Sequence, residues 1–320
     1  MSDVTASHRW KIEKGFSGDL VFKGLTVLFA FSILVILMLM LYEMVSQSLP
    51  AIRKFGGRFV SGMEWDAVQE EFGALPFIFG SVVSSLLALF LATPLAVGTA
   101  LFITEIAPRR IGSVIASLVE LLAAIPSVIY GLWGVLVMAP WLQQTVQPFL
   151  QKHLGFLPFF QGAPYGVGML AAVLILVIMV VPIITSITKE VLLAVPNSQR
   201  EAAIALGATR WEMIRLAVLP YGKSGILGAV ILGLGRAIGE TMAVTMVIGN
   251  NPKISLSLFS PAYTMPSVIA NEFAEASSNL HSAALMEIGL LLLVVTLIIN
   301  SLARLLLWSM SRGAARGAKI

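Results

Sequence analysis

Residues 154–188 read LGFLPFFQGAPYGVGMLAAVLILVIMVVPIITSIT, without one charged side chain. A helix needs roughly 20 apolar residues to cross the hydrocarbon layer of a bilayer. This stretch exceeds that, and its Leu, Val, Ile and Ala do not alternate with polar residues, so it reads as helix and not as a barrel strand. Comparable runs lie on both sides. Residues 25–42 and 74–104 carry no charge, and residues 111–139 carry only Glu120. Residues 225–249 carry Arg236 and Glu240, and residues 283–308 carry Glu287 and Arg304 near their ends. The expectation is an all-α integral membrane protein with six transmembrane helices.

Composition agrees. Apolar residues make up 58% of the 320 and charged residues 12%, where a soluble domain carries about 25% charged residues. Mean hydropathy is +0.90. The absence of cysteine excludes a disulfide framework, Cys-ligated zinc and thiol catalysis. The run at 25–42 follows Arg9, Lys11, Lys14 and Lys23. It is longer than the apolar part of a signal peptide, so a retained first helix is expected.

The net charge of +4 is explained by orientation and needs no nucleic acid. Fifteen of the 21 Lys and Arg fall in the N-terminal tail, the second-to-third and fourth-to-fifth connections, and the C-terminal end. Five fall on the opposite face, and Arg236 lies within a run. The positive-inside rule then places both termini in the cytoplasm. The expected organisation is a cytoplasmic tail at 1–24, a first span with an outer loop at 25–76, a core of the remaining spans at 77–310, and a cytoplasmic tail at 311–320.

One cytoplasmic connection is too long to be a simple turn. Residues 196–220 read PNSQREAAIALGATRWEMIRLAVLP. Ser198 with Glu201, and Thr209 with Glu212, have capping-box spacing. Gly207 suits the left-handed residue that ends a helix, and Pro220 is expected to stop the second helix. Two short capped helices follow, a shape for docking a cytoplasmic partner. Residues 217–224, AVLPYGKS, fit a loose nucleotide-binding pattern. They lack the preceding strand, and Pro220 removes a donor, so nucleotide binding is not expected. Gly233-Leu234-Gly235 is an equally poor dinucleotide fingerprint. Its glycines, Gly233 and Gly235, are expected to allow close helix packing, as in the Gly235-x-x-x-Gly239 spacing.

Residues 228–250 read GAVILGLGRAIGETMAVTMVIGN. Arg236 and Glu240 share a helical face at four-residue spacing, and charges within a span usually face a pathway or bundle interior. Two readings stand. The pair neutralises itself and aids packing, or Arg236 offers a planar fork to a passing oxyanion while Glu240 orients it. Glu120 and Glu287 need water, a proton or a cation such as Arg236. Pro126 is expected to kink the third span, with Pro94 and Pro182 as further candidates.

The 201–220 string resembles the docking loop of binding-protein-dependent ABC importer permeases at Glu201, Ala202, Ala203, Gly207, Leu219 and Pro220. The likeness is most specific to phosphate-importer permeases, through GLGRAIGETMAV (233–244), ELLAAIPSVIYG (120–131), NEFAEA (271–276), ALMEIGL (284–290) and Glu64-Trp65-Asp66-Ala67. The resemblance implies a type I importer permease (MetI-like) fold. It also implies ATPase coupling through Glu201 to Pro220, and a phosphate path at Arg236 and Glu240. Implied partners are a homologous permease, two copies of an ATPase subunit, a soluble phosphate-binding protein, and membrane lipid. No catalytic residue, metal or cofactor is expected on this chain. Rival readings are a permease for sulfate or molybdate, or an ion-coupled secondary transporter. A membrane enzyme is disfavoured because only His8, His153 and His281 are present and no H-E-x-x-H motif occurs.

Overall fold

The computed structural model describes residues 18–317. Most of the expected 1–24 tail, with His8, Arg9, Lys11 and Lys14, lies outside them, as does Lys319. Five helices are long and apolar enough to cross a membrane: Gly18–Phe55, Leu75–Ile106, Met169–Leu193, Arg210–Ile238 and Asn279–Leu305. A sixth span is counted if Arg109–Ala124 and Ser127–Leu154, which meet at 91°, form one broken crossing. The chain up to Ser46 forms one compact unit and the chain from Gln47 onward another. In the first unit, the apolar side chains between Leu20 and Tyr42 are largely exposed, as suits a helix whose solvent is lipid.

The core of the second unit is the fourth span, Met169–Leu193. Of its most apolar window, 56% is buried, the largest share of the five helices. It packs along the second and fifth spans. The second span presents Ala88, Ala92, Ala96 and Ala100, recurring every fourth residue and fully buried. Small residues on one face let helix backbones approach where no water drives association. The approach is close enough for the Thr185 hydroxyl on the fourth span to donate to Ala96 O at 3.3 Å. On the fifth span, a Cβ at Gly233 would come within 2.8 Å of Ile184 and one at Gly225 within 2.6 Å of Val191. Of the glycines expected to pack, Gly233 therefore makes a close contact with the fourth span. Nothing lies within 4 Å of a Cβ at Gly235.

Three uninterrupted runs prove to be broken. The third is cut at Ile125-Pro126, where both residues adopt extended backbone and the helix turns through 91° instead of kinking. The residue before a proline disfavours helical geometry. The fourth span begins at Met169, well after residue 154, because 154–168 hold Pro158, Pro164 and four glycines. Its first N–H groups are taken by a returning loop. Gly168 N donates to Val247 O, Met169 N to Ser260 O and Leu170 N to Leu258 O, at 2.7–3.1 Å. Those donors would otherwise be unsatisfied at a helix start. The fifth run stops at Ile238 and restarts as the short helix Met242–Val247. Pro94 and Pro182 lie within continuous helices.

After the helical residues Arg58–Ser61 the chain folds back as a short two-stranded hairpin, with Trp65 opposite Phe72 and Asp66 opposite Glu71. It docks on the 250–280 connection. The Trp65 indole N–H donates to Glu272 Oε2 at 2.8 Å, and His281 Nε2 lies 3.2 Å from the same oxygen. Phe72 stacks on His281 at 5.3 Å between centroids. Helix Met265–Glu272 is capped reciprocally by Thr264 and Ser267. Its first N–H, on Met265, donates to Ser81 Oγ of the second span at 2.8 Å. Burial pushes the Tyr263 hydroxyl above its ordinary titration range, so it stays neutral and accepts from Asn271 Nδ2 at 2.9 Å.

Candidate functional site

The two groups of residues expected to matter lie towards opposite ends of the fifth helix. Arg210–Ile238 is a single helical segment of 29 residues. At 1.5 Å per residue its ends are on the order of 40 Å apart.

At the far end stand Arg236 and Glu240. The helix ends just after Arg236, with Gly239 N donating back to Gly235 O at 3.2 Å. A cation in the last turn is favoured by the partial negative charge of the helix C-terminus. Glu240 follows in the break and its carboxylate is buried. One oxygen accepts from Ala243 N at 3.3 Å, at the start of helix Met242–Val247. The other lies 3.3 Å from Arg236 Nη2. The four-residue spacing therefore holds, but across a helix break and not on one helical face. The side chains differ in exposure: Arg236 is 49% exposed and Glu240 3%. The carboxylate is spent on the protein, whereas the guanidinium, with five donors, is engaged at one nitrogen and opens outward. Such a group can fork onto an oxyanion without losing its counter-charge. Nearby hydroxyls are turned onto their own backbone, with Thr241 Oγ1 donating to Gly239 O and Thr245 Oγ1 to Thr241 O.

Arg236 does not meet Glu120 or Glu287. Glu120 instead pairs with Lys189 of the fourth span at 3.0 Å. Lys189 entered the sequence reading only as a basic residue of a connection, and nothing in local spacing links positions 69 residues apart. Glu287 is buried, and its Oε2 has no hydrogen-bond partner among the described residues.

At the near end, the 196–220 segment forms two helical pieces. The first, Asn197–Ala205, begins after Pro196 with no side-chain cap, so the Ser198–Glu201 capping box does not form. The fixed backbone of Pro196 starts the helix one residue before Ser198, leaving Ser198 inside it. The Thr209–Glu212 box does form, with both reciprocal bonds. Gly207 between them has φ +87°, a conformation costly for any residue with a Cβ. Pro220 does not stop the second helix. A wide five-residue π-turn, Ile214–Val218, precedes it, and the chain continues as Leu219–Ile238 with Pro220 in the first turn. There its missing N–H leaves no bond unmade.

Glu201 and Ala202 are exposed and Ala203 is half-buried. Ala202, Ala203, Leu206 and Gly207 border a hollow of about 540 Å³ closed by Glu212 and Leu216. Leu206 is 90% exposed, and Ile204, Trp211 and Leu216 are exposed beside it. Leu219 and Pro220 line a separate hollow with Val97 and Lys223. Clustered exposed apolar residues beside a charged helix fit a partner surface. Residues 217–224 are helical throughout and offer no phosphate loop. Among the described residues no cluster of His, Asp and Glu is arranged to hold a metal.

Comparison with known proteins places these features in context. The family described as "Binding-protein-dependent transport system inner membrane component" matches residues 92–312. The chain is 45% identical to "Phosphate transport system permease protein PstC" of Haemophilus influenzae, over 91% of this chain and 94% of that protein. It is 46% identical to the protein of the same name from Mesorhizobium japonicum, over 90% of each. It is 38% identical to "Phosphate transport system permease protein PstC 2" of Mycobacterium tuberculosis, over 90% of this chain and 91% of that one. Among solved structures, a chain of a bacterial alginate ABC transporter in complex with its periplasmic protein aligns with TM-score 0.61 at 16% identity, covering 89% of this chain and 94% of that one. A chain of the MetNI methionine ABC transporter aligns with TM-score 0.54 at 17% identity, covering 72% of this chain and 93% of that one.

The Arg236–Glu240 geometry makes a direct prediction. Arg236→Ala is expected to lower stability by about 1–3 kcal/mol, the cost of stripping a buried acceptor of its partner. The same change made in a Glu240→Ala background should cost less. Thermal unfolding of the native chain, the two single variants and the double variant reads both, and equal costs in the two backgrounds would show that the pair is uncoupled.

Proposed function

The chain belongs to the family of binding-protein-dependent transport system inner membrane components, as a multi-pass permease of the bacterial inner membrane, and we propose that it forms one half of the translocation path of an ATP-driven phosphate importer. The observation that carries the reading is the half-exposed Arg236 guanidinium, paired at Nη2 with a buried carboxylate and, among the described residues, with no other ion pair. A forked cation beside a fixed counter-charge binds an oxyanion yet lets it leave, as a transport path requires. Phosphate is the oxyanion named for the relatives that align over nine-tenths of the chain.

The remaining half of the path is a homologous PstA-like permease. Two PstB-like subunits supply ATP hydrolysis, for which this chain holds no catalytic residue. A soluble PstS-like protein delivers phosphate at the hairpin and the 250–280 connection. Glu201, Ala202, Ala203 and Gly207 form the docking surface for the ATPase, and Leu219 and Pro220 begin the helix that carries its motion inward. Closure of the ATPase pair would rock the spans as rigid bodies. Both termini lie in the cytoplasm, on the side rich in Lys and Arg.

Three measurements test this. Labelled-phosphate uptake should be lost in Arg236→Gln at matched membrane levels with the complex intact. Wild-type uptake in that variant, or uptake by the native chain that sulfate or molybdate blocks as well as phosphate does, would count against it. Glu201→Lys should reduce co-purification of the ATPase subunit, and undiminished recovery would remove the docking role. Reporter tags at residues 1 and 320 should both report cytoplasm; an external signal at either end would refute the orientation.

A further inference from the structure

Arg200 is one of the basic residues of the fourth-to-fifth connection. In the fold it is the most heavily bonded cation among the described residues. Its Nη2 donates to Glu105 Oε1 at 2.8 Å and its Nε to Glu105 Oε2 at 3.3 Å, a two-point fork. Nη2 also donates to Leu192 O at 2.8 Å, while Nη1 donates to Val195 O and reaches Asn197 Oδ1 at 3.4 Å. Both side chains are sheltered, with Arg200 17% and Glu105 6% exposed.

The partners belong to three different elements. Glu105 lies in the π-turn Phe102–Ile106 that closes the second span. Leu192 and Val195 are at the C-terminal end of the fourth span, where unpaired carbonyls favour a cation. Arg200 itself sits in the middle of the docking helix Asn197–Ala205. That helix has nine residues, too few to hold its shape or angle alone. Its chain connections reach the fourth span, through residues 194–196, and the fifth, through residues 206–209, but not the second. To the second span, 95 residues earlier, it is tied by charge. Beneath the pair, Ala100, Leu192, Val195, Met213, Ile214 and Val218 form a separate buried cluster. Glu201, the very next residue, is exposed.

We propose that the Arg200–Glu105 fork is the strut that transmits displacement of the docking helix to the second span, so that both are positioning residues for coupling ATP hydrolysis to transport. The inference rests on the importer reading above. A lysine cannot replace the arginine, because a single ammonium cannot fork onto a carboxylate while capping two carbonyls. Without the fork the helix can tilt on its short tether while the second span stays still.

The test is phosphate transported per ATP hydrolysed, in vesicles reconstituted with the full importer. Glu105→Gln keeps the shape of the side chain and removes its charge. Assembly and basal ATP hydrolysis should persist, while transport per ATP should fall at least about five-fold, the lower end of typical coupling between sites. Because the chain has no cysteine, a Glu105→Cys, Arg200→Cys pair can be bridged by a short bifunctional thiol reagent. Bridging should raise transport per ATP above that of the unbridged pair. Wild-type transport per ATP in Glu105→Gln, or no gain on bridging, overturns the strut. Failure of both variants to assemble would assign the pair to folding and overturn it equally. A wild-type complex that moves no phosphate would sink the importer reading itself, a result distinct from any variant outcome.

Discussion

A charge taken into a hydrocarbon layer must find its partner inside the protein, because the layer offers none. The Glu240–Arg236 pair inside the fifth run answers that constraint, and similar pairs recur at the ends of the helices. Glu105 is forked by Arg200, Glu120 takes Lys189, and Glu240 takes Arg236. Two of these pairs cross between elements far apart in sequence, and each fixes where one helix lies against another. The third spans a break in a single helix and leaves its cation half open. Among the three cations, exposure separates Arg200 and Lys189, which hold helices together, from Arg236, which is available to a solute. Backbone donors obey the same rule, as at the head of the fourth span, where three N–H groups end on carbonyls of a loop some 80–90 residues later.

The apolar runs made the spans legible, since length and lack of charge are properties of the sequence alone. The breaks were less so. Ile125-Pro126 carries its own signal in the proline, but the size of the turn depends on what packs around it. The stop at Ile238 has no proline, and Gly239 alone does not tell a helix end from a packing contact. Pro220 misled in the opposite direction. A proline is tolerated wherever the bond it cannot make is already absent, and a π-turn just before it provides such a place. The Ser198 box failed because Pro196 set the helix start first, whereas Thr209 had no such competitor.

Of the candidate site, Arg236, Glu240, Glu201 and Gly207 were legible because rare residues stood in regular surroundings. What could not be read was which carboxylate met which cation. Spacing of four residues announces Arg236 and Glu240, but nothing local joins Glu105 to Arg200. Which of the expected glycines would meet the neighbouring helix was not legible for a similar reason. Gly233 and Gly235 differ by two positions and so face different sides of the helix, and only the fold shows that Ile184 waits on the side of Gly233.

The π-turns have a consequence for how the length of this chain can vary. Each of the turns at Phe102–Ile106, Gly134–Met138, Leu142–Val146 and Ile214–Val218 holds one residue more than the ordinary helix needs. Loss of one residue there lets the turn relax to α-helix and leaves the register on either side unchanged. Loss of one residue between Gly225 and Gly233 instead rotates everything beyond by about 100°, swinging Arg236 away from its face. The wide turns are thus places where indels are absorbed, and the glycine face between Val191 and Ile184 is where the residue count is fixed.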